Sequence, residues 1–423
     1  MNKQEILNLI EEEDVEFIRL QFTDAFGNLK NIAVTPERFE RVIDNLYPFD
    51  GNAFFDDYLE MDEDLYLCPD LDTFMILPWR PQQGRVGKFI CDICYVDGTP
   101  FRMSPRDILK RTLDKAKAQG YTFVVEPECE FFLFHLNEQG NPTTVSHEQA
   151  GYLDVGPIDF GENARRDMVI MLQDMGFNVE ASHHEKAPAQ HEISFGEGEA
   201  MRAADDIMTF KFAIRSIAKR FGLYATFMPK PLQNVAGSGM HLHFSLYKDG
   251  VNLFECKNGV NDTAKAFIGG IMDHVTAMCA VTNPIINSYK RILTGFQAPR
   301  AINWSTKGEK SLIKACRNVE GSNVELRFPD SAANPYLAIA LCVAAGLDGI
   351  NKNSNPGEER VNREELLPGN LNEAISLLEQ DKLMTDTLGD DFVESYAKIK
   401  REAWDEYMMQ VSDWEINRYL IKM

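Results

Sequence analysis

Between Phe123 and Phe134 the chain reads FVVEPECEFFLF, a run that alternation sorts into two faces. Side chains two apart on a strand point the same way, so Glu126, Glu128 and Glu130 share one face while Pro127, Cys129 and Phe131 share the other. Three carboxylates on a strand flanked by Phe and Leu are costly to bury unless a cation neutralises them. Three further segments repeat the arrangement. In HHEKAPAQHEISF, Glu185 and Glu192 flank a turn containing Pro188. In GSGMHLHFSL, His241, His243 and Ser245 share a face just after a Gly-Ser-Gly loop, and in NVELRF so do Glu325 and Arg327. Any one of these alone is an ordinary half-exposed strand. Together they supply many carboxylates and an imidazole, an oxygen-rich set that suits Mg²⁺ or Mn²⁺ rather than zinc. Two such ions suit phosphoryl transfer, because they neutralise phosphate oxygens.

Charge narrows the partners. The 423 residues carry 43 basic against 65 acidic side chains, a net charge of −22. That balance argues against a phosphate-gripping basic surface for nucleic acid but leaves room for a local basic pocket. The longest apolar run, Tyr336 to Leu347, is shorter than the ~20 residues of a membrane helix. The acidic N-terminus, MNKQEILNLIEEED, lacks a signal-peptide core, so no membrane partner and a cytoplasmic location are expected. The eight cysteines have no framework spacing. Cys91 and Cys94 form a C-x-x-C inside FICDICYVD, which alternates like a strand and reads as reduced core thiols.

The length suggests about two to three domains. Residues 1 to about 100 read as a small α+β domain: a helix over 4–13, a strand VEFIRLQFTD with Ile18, Leu20 and Phe22 on one face, and a turn at Phe26-Gly27-Asn28 before LKNIAVT. Ser104 as cap, Pro105 in the first turn and Gly120 at the end predict a helix that opens the second region, 101–423. Strands FVVEPECEFFLF, HEISF, ATFMPK, MHLHFSL and NVELRF then alternate with helices over 162–175, 201–221, 262–282, 332–348 and 370–410.

The motifs DGNAF, PECEFFLF, EASHHEKAPAQHEISF, ATFMPKP, GSGMHLHFSL, NPIINSYKR, VELRFPDSAANPYLA and AAGLDGI resemble, in order and spacing, those of the type I glutamine synthetases. The resemblance implies an α+β fold, with an N-terminal β-grasp domain and a catalytic domain on a curved antiparallel sheet shared with guanido kinases. It also implies two stacked hexameric rings, a dodecamer with each active site between neighbouring subunits. ATP would phosphorylate the glutamate side chain to γ-glutamyl phosphate, and ammonium or another small amine would displace the phosphate.

Position by position, the resemblance assigns Glu130, Glu185 and Glu192 to one Mg²⁺ or Mn²⁺ ion and Glu128, His241 and Glu325 to a second. Arg291 matches the residue that holds the glutamate α-carboxylate, Arg327 a second arginine at the reacting end, and Gly237 the loop lining the glutamate site. Glu180, His243 and Ser245 match nucleotide contacts. Asp50 matches the carboxylate that a neighbouring subunit supplies to deprotonate ammonium, and Tyr152 lies near that pocket.

The departures cluster where the reaction happens. TGFQAP carries Gln297 where the family has a flap glutamate and Phe296 where it has a tyrosine; a Gln cannot carry charge or act as a base. Phosphate-facing arginines align with Glu309, Lys314 and Asn323, and a gap near 315–323 leaves Arg317 as a substitute for one of them. Ala236 and Asn52-Ala53 also depart, and the tyrosine adenylylated in some relatives has no counterpart. Three outcomes stay open: glutamine synthesis with a rewired flap, ligation of another amine, or a weakly active or non-catalytic oligomer.

Overall fold

The structure, a computed structural model, describes residues 1–80, 83–146, 148–257, 259–308, 310–317 and 321–421. Helix α1 (Lys3–Glu12) opens on a capping box in which Asn2 accepts from the Glu5 amide and Glu5 from the Asn2 amide. Strand β1 (Val15–Thr23) turns Ile18, Leu20 and Phe22 into the core, as alternation predicts. After β2 (Leu29–Val34) come α2 (Pro36–Asn45), β3 (Tyr47–Asp50), β4 (Asp64–Ile76) and β5 (Arg85–Cys94). Their sheet runs β2-β1-β5-β4-β3, with β1 and β5 parallel and the other neighbours antiparallel. This is the β-grasp arrangement that the resemblance implied. Cys91 and Cys94 sit buried on β5 as free thiols.

Helix α3 (Pro105–Lys117) starts at its proline and stops before Gly120, which takes φ +81°. The predicted Ser104 side-chain cap does not form; Ser104 contributes its carbonyl to Ile108, and Asp107 supplies the favourable first-turn charge. Next come β6 (Thr122–His135), α4 (Glu162–Asp174), β7 (Val179–His184), β8 (Gln190–Phe195) and β9 (Gly198–Glu199). Helix α5 (Ala200–Ala218) leads to β10 (Leu223–Thr226), β11 (Met240–Lys248) and β12 (Val251–Asn252). Helices α6 (Asp262–Thr282) and α7 (Ile286–Thr294) precede β13 (Trp304–Ser305), β14 (Ile313–Arg317) and β15 (Ser322–Leu326). The strands form one sheet with central order β13-β14-β15-β11-β6-β8-β7, antiparallel apart from β13–β14; β9 and β10 pair with β6, and β12 with β11.

Helices α8 (Pro335–Lys352), α9 (Leu371–Gln380), α10 (Lys382–Leu388), α11 (Asp390–Met408) and α12 (Asp413–Tyr419) complete the chain. The single helix expected over 370–410 is therefore three. Asp381 restarts the chain by accepting from the Leu383 and Met384 amides, and Gly389 breaks it again at φ +96°. Strand ATFMPK ends early, at Thr226, ahead of the Pro229-Lys230-Pro231 loop.

Helix α6 is long and apolar enough to cross a bilayer by composition, yet 78% of its apolar window is buried, so it is a core helix. It packs on α8 so closely that a Cβ on Gly270 would come 2.2 Å from the Ala345 carbonyl oxygen, and one on Gly349 2.2 Å from that of Ala266. Where the two sheets' helices meet, Arg106 of α3 bonds Asp70 of β4, Asp92 of β5 and Asp205 of α5, and the Tyr336 hydroxyl donates to Asp205 at 2.7 Å.

Candidate active site

Strand β11 lies between β6 and β15, and its register sets His241 opposite Glu128 and His243 opposite Glu325. The alternate residues Met240, Leu242, Phe244 and Leu246 are fully buried on the other face. His241 Nδ1 is 3.1 Å from Glu128 Oε2 and 3.4 Å from Glu325 Oε1, and His243 Nε2 is 3.0 Å from Glu128 Oε1. Arg327 Nε approaches Glu325 Oε1 at 3.2 Å, and Lys314 Nζ approaches Oε2 at 3.5 Å. One ligand atom each from Glu128, His241 and Glu325 thus lies within 4.8 Å of the others.

The second group forms where β8 pairs with β6 and β7. Glu130 and Glu192 are direct cross-strand partners, and the turn after β7 returns Glu185 to their side. Of the two adjacent histidines, His183 faces the site, 3.5 Å from both Glu185 and Glu192. His184 faces away, fully buried, with Nε2 2.7 Å from Glu148. His183, Glu185 and Glu192 draw together within 4.8 Å. Glu130 Oε2 is held just aside by the Gly239 amide at 2.8 Å and Gln190 Nε2 at 2.9 Å.

The two groups differ electrostatically. Burial pushes the Glu128 carboxyl up, but hydrogen bonds from His241 and His243 reverse it and hold it well below the usual range. Glu325 behaves likewise, lowered by His241, His243 and Arg327 against burial. In the other group Glu130, Glu185 and Glu192 are all raised, first by burial and then by neighbouring carboxylates. Facing them is His183, pushed up to about 8 chiefly by its hydrogen bond to Glu192, with Lys186 acting on Glu185 and Arg291 on Glu130 from farther off. Farther along β6, burial lifts Glu126 to about 7, with Glu180 and Glu128 adding to the rise. A cluster of buried carboxylates this short of positive charge, built from oxygens and imidazole, fits hard divalent cations.

Both groups open onto one cavity of about 280 Å³ that also takes in Tyr152, Gly237, Arg291, Gln297, Lys314 and Arg327. Arg291 is buried, its guanidinium donating to the carbonyls of Arg327 and Phe328 at 3.3 and 3.2 Å. Gly237 runs so close to the preceding loop that a Cβ would lie 2.2 Å from the Pro229 oxygen. Gln297 takes the left-handed φ of +61° at the rim, next to Phe296, whose ring receives Lys230 Nζ at 4.8 Å. Tyr152 meets His183 edge-on at 5.6 Å and Lys186 Nζ at 5.0 Å. A larger hollow of about 880 Å³ lies between the β1–β2 turn, α5 and α11, but it is lined by none of these paired acids and imidazoles. Chemistry, not size, marks the site.

Some predicted residues stand apart. Asp50 is exposed, accepts from the Asn52 amide and does not line this cavity in its own chain. Glu180 and Ser245 lie outside the cavity, Glu180 beside Glu126 and Ser245 buried farther along β11. Arg317 does not replace a phosphate-facing arginine: it donates to the Lys257 carbonyl and approaches Glu255 at 3.9 Å, because on β14 it alternates away from the face that Lys314 shares. Asn323 Oδ1 sits 3.3 Å from His243 Nδ1. Glu309 lies outside the described residues. Sequence reasoning missed Gln190, a buried amide whose Nε2 also donates to the Gly237 carbonyl at 3.1 Å, and Cys316, whose thiol reaches Glu325. The Gln190 signal was its place in QHEISF, on the opposite face from Glu192's neighbours Ile193 and His191 by simple alternation.

Comparison with known proteins gives a consistent picture. The family model for the glutamine synthetase β-grasp domain matches residues 14–96, and that for the glutamine synthetase catalytic domain matches residues 102–419. The chain is 48% identical to the glutamine synthetase of Clostridium saccharobutylicum, covering 99% of each. It is 43% identical to that of Thermus thermophilus, covering 99% of this chain and 98% of the relative. Among solved structures, GmaS without ligand and GmaS in complex with ADP each superpose with a TM-score of 0.89, at 32% and 31% identity, over 98% of this chain and 99% of theirs.

Proposed function

Since the chain belongs to the glutamine synthetase family, we propose that it joins glutamate to ammonium at the expense of ATP, giving glutamine, ADP and phosphate through γ-glutamyl phosphate. The observation that carries this reading is the opening of both acid clusters onto the same cavity as Arg291 and Arg327. Glu130, Glu185 and Glu192 would hold one Mg²⁺ or Mn²⁺ ion, and Glu128, His241 and Glu325 the other. When bound, the ions supply charge neutralisation for the transferring phosphoryl group.

The protein's own residues do the rest. Arg291, fixed by backbone carbonyls, binds the glutamate α-carboxylate and aims the side chain along the cavity. Arg327 offers charge at the reacting end, and Lys314 keeps one cation there without a guanidinium's bidentate fork. Glu180, His243 and Ser245 contact the nucleotide from the same sheet face. Gly237 and Tyr152 border the glutamate and amine ends, and Gln297 closes the rim by hydrogen bonding and excludes water from the acyl phosphate. Asp50 takes the ammonium proton in a neighbouring subunit's site; that it does not line its own chain's cavity supports that division. A dodecamer follows, aided by a C-terminal tail that exposes Met409, Val411, Trp414 and Leu420. We place the domain boundary near residue 100 and the protein in the cytoplasm.

Gln297 and Phe296 at the rim favour one second reading, ligation of a small organic amine, because a neutral flap does not select for a cation. Phosphate release and γ-glutamyl product are measured with glutamate, ATP and Mg²⁺ or Mn²⁺, against ammonium and a panel of amines, for the protein and for Gln297→Glu. Glutamine from ammonium supports the synthetase; preference for an organic amine moves the assignment. No product from either protein, with the fold intact, refutes the ligase.

A further inference from the structure

The pairing that assembles the acidic face also brings a thiol to it. On β14, Cys316 lies across from Asn323, two positions beyond Lys314, which lies across from Glu325. His243, on the other side of β15, is opposite Glu325 as well. The Cys316 Sγ stands 3.6 Å from Glu325 Oε2. Ligand atoms of Cys316, His243 and Glu325 all fall within 4.8 Å of one another. Among the described residues this is the one such group that contains sulfur. Tetrahedral zinc sites, with bonds of about 2.0–2.3 Å, set neighbouring ligand atoms about 3.3–3.8 Å apart. The present separation of sulfur and carboxylate oxygen already spans one edge of such a tetrahedron.

We propose that Cys316, His243 and Glu325 form a further divalent-cation site, one that takes a borderline-soft ion such as Zn²⁺, and that filling it blocks the enzyme. Thiolate and imidazole favour zinc over magnesium, whereas the neighbouring carboxylates favour the harder ions. The thiol proton passes to solvent as the ion binds, and water completes the fourth position. Lys314 Nζ, 3.5 Å from the same Glu325 oxygen, swings outward; its side chain is 32% exposed and has room. His243, which also meets Cys316, gives up its contact to Asn323 at 3.3 Å or to Glu128 at 3.0 Å, while Arg327 keeps the other Glu325 oxygen. Zinc held there withdraws Glu325 and His243 from cation and nucleotide binding together. The inhibitory half of the proposal rests on the ligase reading; the binding half does not.

Cobalt(II) titrated into the metal-free, full-length protein without nucleotide separates the two. The expected result is a sulfur-to-cobalt charge-transfer band that saturates at one ion per chain, disappears in Cys316→Ser, and persists in Cys256→Ser and Cys68→Ser. Circular dichroism of Cys316→Ser controls for folding. Absence of the band in the unsubstituted protein, or its survival in Cys316→Ser, overturns the site whether or not the protein turns over. In Mg²⁺-supported ligation, Zn²⁺ is expected to inhibit the unsubstituted protein at concentrations about tenfold lower than Cys316→Ser. Equal sensitivity overturns the inhibitory role.

Discussion

Replacing Gln190 by Leu tests whether cation affinity depends on a side chain that touches no cation. Gln190 is only 1% exposed. Its amide nitrogen donates to Glu130 Oε2 at 2.9 Å and to the Gly237 carbonyl at 3.1 Å, and its oxygen accepts from the Ala187 amide at 3.1 Å. One residue thereby ties together a proposed cation ligand, the Gly237 loop proposed to line the glutamate site, and the turn that carries Glu185. Leucine nearly fills the volume but makes none of these bonds. The Gly237 carbonyl loses this donor and the Ala187 amide this acceptor, at about 1–3 kcal/mol each if buried and unmatched. Glu130 keeps only the Gly239 amide and is free to rotate. Hydrogen-bond partners that orient metal ligands are typically worth about 10–100-fold in affinity, or about 1.4–2.7 kcal/mol. Calorimetric titration of Mn²⁺ into the metal-free protein should therefore show weakening within that range, with secondary structure retained. If Mn²⁺ affinity stays within about twofold while only stability falls, Gln190 is scaffold alone and does not orient Glu130.

Two predictions concern stability. In Arg106→Leu the buried Asp205 loses its guanidinium and keeps the Tyr336 hydrogen bond and the more distant charge of Lys88, a loss of about 3–5 kcal/mol; the more exposed Asp70 and Asp92 pairs add at most about 1 kcal/mol each. Urea unfolding reads this out, and a change under about 1 kcal/mol would contradict it. His274, on α6, bonds Asp381 at 2.6 Å and Asp348 at 3.3 Å. Burial works against its charge, but the hydrogen bond to Asp381 prevails and raises its pKa, while the same contact lowers that of Asp381 against burial. The raised histidine stabilises fully below about pH 6.5 and loses that contribution as pH rises through its folded value; the lowered aspartate stabilises above about pH 4 and loses it on acidification. The stability gap between the protein and His274→Gln should accordingly be widest between about pH 4 and 6.5 and narrow as pH rises above that window, which unfolding midpoints at a series of pH values would reveal.

The strands that bear the site were legible because each mixes buried apolar residues with acids or histidines at period two. Alternation alone put Glu126, Glu128 and Glu130, and His241 and His243, on common faces. It could not say which of His183 and His184 turned inward, since a neighbouring pair always splits and only the β8 register decides. It put Gln190 on the face of Glu192 but could not single it out, because its importance lies in contacts to residues 60 and 47 positions away in sequence. The long helix expected over 370–410 failed on local chemistry: apolar periodicity ran through Asp381 and Gly389, but a carboxylate that can cap and a glycine that can reverse φ ended two helices there. The gap near 315–323 made Arg317 look like a phosphate ligand, and strand parity sends it the other way.

Strand parity also limits how such a protein can change in length. Along β6 and β11 the site and the core are interleaved one residue apart, so removing a single position inside Thr122–His135 or Met240–Lys248 would present Phe and Leu to the cavity and drive carboxylates into the interior. Substitution is then the route open to these strands. Insertions and deletions have to collect in connections such as 353–370, where no face is shared, and that is where length differences between this chain and its relatives are to be sought.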